Sequence, residues 1–329
     1  MSARVRARAC FSSQNIDEVR AEFTRQSGNF ENEWTTRSKR NTSDIMKWVM
    51  ASVEQVYSHA VALGGVGEGV GVKALDVACG TGIFARALAK LPGVVVTGVD
   101  ATKAMLEEAA VNTTKEGQTI TFECGDATNM SQFEENSFDI VTSRLAIHHF
   151  SNPEDVVKEM TRVCRVGGHV VIVDIVALDS DDDDDDDDSL QLEMNRLERL
   201  RDPSHTTALT AAQLISLLQT ASGGKLDVTV NGNDFVNATE GQLDVTTDTH
   251  THTSTAAGVV RIPYLENGMN LSEWMNSTNT IPSARVVIER SMDIELGGGT
   301  GTGMRAYRDE NNEVCFKHRY VIAIGQKLN

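Results

Sequence analysis

The chain has few cysteines, no long apolar run and no dense cluster of basic residues, and each shortage removes a class of function. Its five cysteines are Cys10, Cys79, Cys124, Cys164 and Cys315. The number is odd, the spacings are long and no C-x-x-C pair occurs, which argues against a zinc site or a redox dithiol. They read as small buried or free thiols of a reducing compartment rather than as a catalytic nucleophile. The longest apolar stretches, such as Val94–Val96 and Val170–Val176, are strand-length or interrupted. A helix that spans a bilayer needs about 20 consecutive apolar residues, so no membrane span is expected. The absence of a Lys/Arg cluster in the folded region, with a net charge of −17, disfavours nucleic acid as a partner, because an acidic surface repels phosphates. No internal repeat is visible.

What is present is a chain of 329 residues with a 40% hydrophobic fraction. That suffices for one large α/β domain with a modest appendage. Much of the negative charge sits in one place, since Asp179 and Asp181–Asp188 supply nine charges. This run lacks the mixed ligands and ordered turn of a calcium loop, so it reads as a solvated acidic insertion (179–189), and no metal site is expected. Residues 237–257, rich in Thr, Asp, Asn and His, read as a second, polar insertion. Residues 1–16 contain Arg4, Arg6 and Arg8 and no acid before Asp17. An arginine-rich, acid-poor start is the composition of an organelle transit peptide, and the segment Arg8–Ser13 resembles a mitochondrial processing site that would cut near Phe11/Ser12. The expected address is mitochondrial, with a plastid or the cytoplasm as alternatives and a basic tail without an address as the plain reading.

Residues 17–71 form an expected helical cap. Asp17–Arg25 and Ser43–Ala62 have helical patterns, with Ser43 as N-cap and Ile45, Met46, Val49, Val53 and Val56 recurring at helix-face spacing. From Val72 strands and helices alternate: strands at Val72–Val77, Val94–Val99, Ile120–Glu123, Phe138–Ser143 and His169–Ile175, with helices at Gly82–Lys90, Thr102–Thr113 and Pro153–Arg165, the last stopping at Gly167-Gly168. Such alternation predicts a mostly parallel sheet covered on both faces. Further on, helices are expected at Leu190–Arg201, Thr210–Ala221 and Ser283–Leu296 (capped by Ser283), and strands at Leu226–Phe235 and Glu313–Gly325, with a glycine-rich link at Gly297–Gly303. Residues 72–329 thus make one α/β domain.

The informative segment is Leu75-Asp76-Val77-Ala78-Cys79-Gly80-Thr81-Gly82, between the first strand and the first helix. Gly80, Gly82 and Ala85 fit the G-x-G-x-x-G/A fingerprint of nucleotide-binding folds. Three acids sharpen it. Asp76 stands beside the turn, where a carboxylate would repel a pyrophosphate but attract an ammonium or a sulfonium. Asp100 ends the second strand twenty residues after Gly80, a spacing suited to ribose hydroxyls. Asp126 follows the third strand, where it could accept from an adenine amino group. Taken singly, each acid could instead be an N-cap or a solvated loop residue.

These residues resemble class I methyltransferases that use S-adenosyl-L-methionine (SAM). Leu75–Gly82 looks like their first motif, Val99-Asp100 like the acidic strand end, and Gly125-Asp126-Ala127 like the adenine-side motif. Phe138–Val141 through His148-His149-Phe150 is similar to the fourth-strand segment of the type 11 small-molecule group, which includes quinone-biosynthesis enzymes. Arg162–Gly168 matches the link into the fifth strand. The resemblance is strong over about residues 72–176 and weaker through Arg201–His205 and Phe316–Lys327. It implies a Rossmann-like, seven-stranded, mostly parallel sheet with helices on both faces and its last strand antiparallel. It implies SAM as cofactor, held by Asp76, Ala78, Gly80, Gly82, Asp100, Ala101, Asp126, Ala127 and Arg144, and a small-molecule acceptor methylated by in-line displacement.

Such a transfer needs alignment and exclusion of water more than acid–base chemistry, and a base only where the acceptor must lose a proton. His148, His149 and His205 are the candidates, each with a structural alternative in which it braces a loop or packs over the cofactor. In Arg201-Asp202-Pro203-Ser204-His205, Arg201 could bind an acidic substrate group; alternatively Pro203 stops one helix and Asp202 or Ser204 caps the next. Trp34, Trp48 and Trp274 read as core residues before pocket residues. Two other functions stay open: a catalytically silent, methyltransferase-like assembly factor in an organelle, and a nicotinamide-dependent oxidoreductase, which Asp76 disfavours.

Overall fold

The computed structural model describes residues 4–6, 17, 19–27, 46, 49–50, 52–54, 56–58, 60–61, 71–178, 188–228, 258–262 and 269–329. Most of the acidic run, the polar insertion, Ser43, Ile45, Trp34, Trp48 and the processing segment around Phe11/Ser12 lie outside these residues.

The centre is a twisted sheet of β2 (Val72–Val77), β3 (Val94–Asp100), β4 (Thr121–Cys124), β5 (Phe138–Arg144), β6 (Cys164–Val176), β7 (Leu226–Asp227) and β12 (Arg319–Lys327). Their spatial order is β4-β3-β2-β5-β6-β12-β7. The first five run parallel, and β12 is antiparallel to β6 over Arg319↔Val176 to Gln326↔His169. This is the seven-stranded Rossmann-like arrangement with an antiparallel last strand. Two more strands extend it: β1 (Arg4–Arg6) pairs in parallel with β4, and β8 (Gly258–Ile262) pairs with β12.

Period-two alternation divides the sheet residues between two cores. On one face Ala74, Val96, Ile140, Val171, Val173, Tyr320 and Ile322 pack with Phe84 and Leu88 of α1 (Ile83–Leu88), Leu106 and Ala109 of α2 (Lys103–Lys115), and Val49, Val53 and Val56 from the N-terminal helical residues. On the other, Leu75, Val77, Val141, Val170, Ile172 and Val321 pack with Val156, Val157 and Met160 of α3 (Pro153–Val163) and Leu214 and Leu218 of α5 (Ala211–Ala221). The three valines before the sheet therefore belong to the same core as the sheet. The first core also takes in α4 (Ser189–Arg201), α6 (Leu271–Ser277) and α7 (Pro282–Leu296), with a small second sheet of β9 (Met269–Asn270), β10 (Tyr307–Arg308) and β11 (Val314–Phe316).

Several boundaries depart from expectation for identifiable reasons. Helix α3 ends at Val163, not at the glycine pair, because Cys164 is already extended. Phe138 pairs with Cys164 and Ile140 with His169, so Arg165–Gly168 bulge out of the ladder. Gly167 takes φ +75° there, and a Cβ on Gly168 would lie 2.7 Å from the Asp139 carbonyl oxygen. The bulge is tied by the Arg165–Asp139 ion pair. Ser283 does not cap α7: Ile281 is the N-cap and Pro282 the first helical residue, where a missing N–H costs nothing. Val286, Val287 and Ile294 on that helix are exposed. The single final strand is two, β11 and β12, in different sheets, separated at Lys317-His318. Neither Asp202 nor Ser204 caps α5; Thr210 does, in a reciprocal capping box with Gln213. Of Leu226–Phe235 only Leu226–Asp227 is strand among the described residues.

Gly168→Ala is expected to lower stability by about 1–3 kcal/mol, because backbone rather than a flexible side chain meets the new methyl. Urea denaturation reads this, and an unchanged midpoint would remove the bulge from the structural account.

Candidate functional site

The carboxyl ends of β2, β3, β5 and β6 lie along one edge of the sheet, where open α/β sheets bind ligands. The turn after β2 is held in unusual backbone. Ala78, Gly80 and Gly82 have φ of 55°, 53° and 77°. Ala78 pays steric strain for this conformation, whereas the glycines do not. A Cβ on Gly82 would stand 3.1 Å from both Ala109 Cβ and Phe122 Cζ, so Gly82 lets α1 sit against the sheet; a Cβ on Gly80 would meet nothing within 4 Å, so the backbone there is open to a ligand.

Asp100 fixes that turn. One carboxylate oxygen accepts the Gly80 amide at 2.9 Å and the other the Thr102 amide at 2.8 Å. Burial raises its pKa despite these two donors. Ala101 follows, and its carbonyl accepts from Arg20 Nε at 3.1 Å. A second nitrogen of Arg20 is buried without a hydrogen-bond partner. Asp76, only 1% exposed, receives one side-chain donor, the Thr142 hydroxyl at 3.1 Å, and its second oxygen is buried without a partner. Burial pushes its pKa up to about 7, with Thr142 and Arg144 opposing the rise. Asp126 is committed on one oxygen to the Thr128 amide and hydroxyl at 2.9 and 2.7 Å, an Asx turn, beside the buried Ala127. Arg144 ends β5; burial lowers its pKa against the pull of Asp76, Tyr320 and Asp174, and no hydrogen bond reaches its guanidinium among the described residues.

The three histidines come together. His148 and His149 lie in a short 3₁₀ turn, Ile147–His149. Ring centroids of His148 and His149 are 4.1 Å apart, and those of His148 and His205 5.4 Å. Their bonding differs. His148 gives its backbone N–H to one oxygen of Asp174 at 3.1 Å, and its Nδ1 lies 2.5 Å from the other. Burial opposes its charge, but the Asp174 carboxylate prevails and raises its pKa. His149 Nδ1 faces the carbonyl and hydroxyl oxygens of Ser204 at 3.1 and 3.0 Å, and burial beside His148 pushes its pKa down to about 4. His205 Nε2 donates to Asn195 Oδ1 at 2.7 Å, and burial pushes it down to about 2. Arg201 is held by Glu198, which is fully buried, at 2.9 Å and lies over the Trp274 ring at 4.9 Å. Trp274 is itself buried against Phe316.

One N-terminal helical stretch, residues 19–27, crosses this edge. Arg20 reaches Ala101, Phe23 meets His149 edge-on at 5.0 Å, and Arg25 donates to the Thr278 carbonyl at 2.9 Å.

Residues 75–172 match the family described as a methyltransferase domain. Among curated proteins, an uncharacterized methyltransferase of Bacillus subtilis, YcgJ, is 37% identical over 134 residues, covering 40% of this chain and 49% of that protein. A ubiquinone/menaquinone biosynthesis C-methyltransferase of Bdellovibrio bacteriovorus is 38% identical over 109 residues, covering 33% and 46%. The chain thus spans about half the length of the curated relatives it matches. In three dimensions the crystal structure of B. subtilis YcgJ superposes with a TM-score of 0.58 at 24% identity, covering 79% of this chain and 93% of that one. A putative methyltransferase of Bacillus halodurans gives 0.59 at 22% identity, covering 83% and 100%. Both likenesses establish the fold.

The site gathers more than its motifs announce. Asp174 and Asn195 hold two of the histidines, Glu198 adds a nearby negative charge, and Arg20 and Phe23 arrive from the N-terminal helical residues. Asp174 did leave a signal: it is the sole charged residue in the otherwise apolar run Val170–Val176, and a lone acid in a buried strand needs a partner. No grouping of His, Cys, Asp and Glu suited to a metal occurs among the described residues.

The pKa of Asp76 makes a sign-specific prediction. Folded Asp76 binds its proton up to about 7, above the ordinary carboxylate value. Between those two values the folded state holds more protons than the unfolded one, so stability falls as pH rises through that window. Asp76→Asn removes the cost. Its stability relative to wild type should grow from pH 5 to pH 8, by on the order of 2–4 kcal/mol. An equal difference at both values, in ligand-free protein, would contradict the assignment.

Proposed function

We propose that the protein is a SAM-dependent methyltransferase that transfers a methyl group to a small-molecule acceptor by in-line displacement. The observation that carries this reading is the buried, unpartnered oxygen of Asp76 beside a left-handed glycine turn with open space at Gly80. An acid so placed suits a cationic ligand and repels a pyrophosphate, which favours SAM over a dinucleotide. SAM supplies a methyl on a sulfonium, already activated for displacement.

The chain's own residues would bind and orient. Asp76 would answer the positive charge of the amino-acid portion, and Arg144, whose charge interacts with Asp76, would answer the carboxylate. Asp100 keeps one lone pair per oxygen beyond its two amide donors and would accept from ribose hydroxyls. Gly80, Gly82, Ala78 and Ala101 present backbone; Asp126 and Ala127 stand where the adenine would lie. The helical stretch carrying Arg20 and Phe23 would exclude water from this edge, which strengthens every charge inside it. The quinone-pathway names of several relatives make a quinone-like aromatic a natural member of the acceptor class.

The acid-poor arginines at the start support a mitochondrial address. Processing near Phe11/Ser12 would remove β1 and leave β4 as the sheet edge. The mature N-terminus of the organellar protein should then lie at residues 11–13; an intact Met1 or Ser2 there would refute import by cleavage.

The first test of function is thermal stability with SAM, S-adenosylhomocysteine and NADH. A ligand at a hundredfold excess over its Kd stabilises the native state by about 2.7 kcal/mol. A rise with both adenosyl ligands, lost in Asp100→Ala, is expected. A rise with NADH alone, or with none, would overturn the methyltransferase reading in favour of the oxidoreductase or the silent assembly factor.

A further inference from the structure

The loop between β4 and β5 presents a carboxamide that bonds to nothing around it. Residues 130–133 form a tight turn, closed by the Phe133 amide on the Met130 carbonyl at 2.9 Å, with Ser131 and Gln132 at its centre. Helix α3 holds both ends of this turn. Arg162 donates to the Met130 and Phe133 carbonyls, each at 2.9 Å, and Glu159 accepts the Met130 amide at 2.6 Å. Arg162 and Glu159 are themselves paired at 2.7 Å. Position 132 is thus fixed by bonds from a neighbouring helix, none of which uses its own side chain.

The Gln132 Nε2 is buried without a partner, and no hydrogen bond reaches the other end of the amide among the described residues. Asn136, four residues on, shows what a structural amide does in this loop: its Oδ1 accepts from Lys327 Nζ at 3.0 Å. The Gln132 amide instead lies against the ends of two strands. A Cβ on Gly125 would collide with Gln132 Nε2 and would stand 2.9 Å from Val99 Cγ2. Gly125 precedes Asp126, and Val99 precedes Asp100. The Gly125 amide also donates to the Asp100 carbonyl at 3.0 Å, which ties the two strand ends together beside this side chain. Buried polar groups are nearly always hydrogen-bonded, so an amide mounted here without a partner is one that a ligand would complete.

We infer that Gln132 reads the base of the cofactor. Its carboxamide makes the two parallel hydrogen bonds that a glutamine makes with adenine, its oxygen accepting from the 6-amino group and its nitrogen donating to N7. This rests on the methyltransferase reading, which sets the adenine against Asp126 and Ala127. One oxygen of Asp126 is committed to Thr128. The other would accept one hydrogen of the amino group, and Gln132 the second. Gly125 puts no side chain between the amide and the base. Selectivity for adenine then comes from a side chain of the loop, whereas the glycine turn after β2 presents only backbone.

The test compares S-adenosylhomocysteine with its 7-deaza analogue, in which a C–H replaces N7, on wild type and on Gln132→Leu. Leucine has a similar volume and no polar atom. Ligand-free Gln132→Leu should keep its urea midpoint, since no hydrogen bond within the protein is lost. By calorimetry, wild type should prefer S-adenosylhomocysteine by roughly five- to a hundredfold, and Gln132→Leu should bind the two ligands alike. A preference that survives in Gln132→Leu would overturn the inference, as would unchanged affinity of that variant for S-adenosylhomocysteine. In nitrogen-15-labelled wild type, one Gln132 side-chain amide proton should move downfield with S-adenosylhomocysteine and not with the analogue. No such shift overturns the assignment without any variant having to fold. If S-adenosylhomocysteine fails to bind wild type at all, the methyltransferase reading falls and this inference with it. If it binds and the N7 preference does not depend on Gln132, this inference falls alone.

Discussion

A carboxylate at the end of a buried parallel strand must be given donors or lose its charge, and three such groups set the character of this site. Asp100 at the end of β3 receives two backbone amides. Asp174 near the end of β6 receives an amide and an imidazole. Asp76 near the end of β2 receives one side-chain hydroxyl, and the Ala85 amide and the Arg144 charge do not offset its burial. The first is a structural clamp that holds the glycine turn, the second holds a ring in one orientation, and the third is left short of positive charge. The same residue type, on three strands of one sheet, is thus divided into three jobs by how many donors the local backbone can bring.

That division explains what was legible in the chain. The glycine turn, Asp76 and Asp100 are spaced by the βα unit itself, so sequence distance reports spatial distance: a six-residue strand and a short helix leave little freedom. Hydrophobic alternation likewise divides the strand residues between the two faces, with Leu75 and Val77 on one and Ala74 on the other. The ends of elements were less readable because local signals compete. Gly167-Gly168 is as good a helix stop as a bulge, and only the pairing of Phe138 with Cys164 decides it. Lys317-His318 carries no Gly or Pro, yet the chain breaks there because β11 pairs with Asn270 and Met269 while β12 must pair with β6.

The histidine cluster shows the other limit. His148 and His149 are adjacent, share a turn and are both buried, but their partners come from 26 and 55 residues away. Asp174 is bonded directly to one ring; the other is bonded only to the carbonyl and hydroxyl of Ser204 and is repelled by His148. With burial equal, that difference sends the two pKa values in opposite directions. A motif can place a pair of histidines at a site. It cannot say which is ionised, because ionisation is decided by groups that only the tertiary fold brings within reach.

The N-terminal helical stretch joins the two halves of this argument. Arg20 lies at the Asp100 end, where its charge lowers the cost of that carboxylate, and Phe23 lies at the histidine end, against His149. The two positions are three apart, one turn of a helix, so they present along one side. Any displacement of this stretch would therefore act on both ends together: it would wet Asp100, weakening the clamp on the glycine turn, and uncover His149, admitting water to the histidine cluster. Coupling the two in one helical turn makes shielding of the Asp100 end and of the histidine cluster a single event.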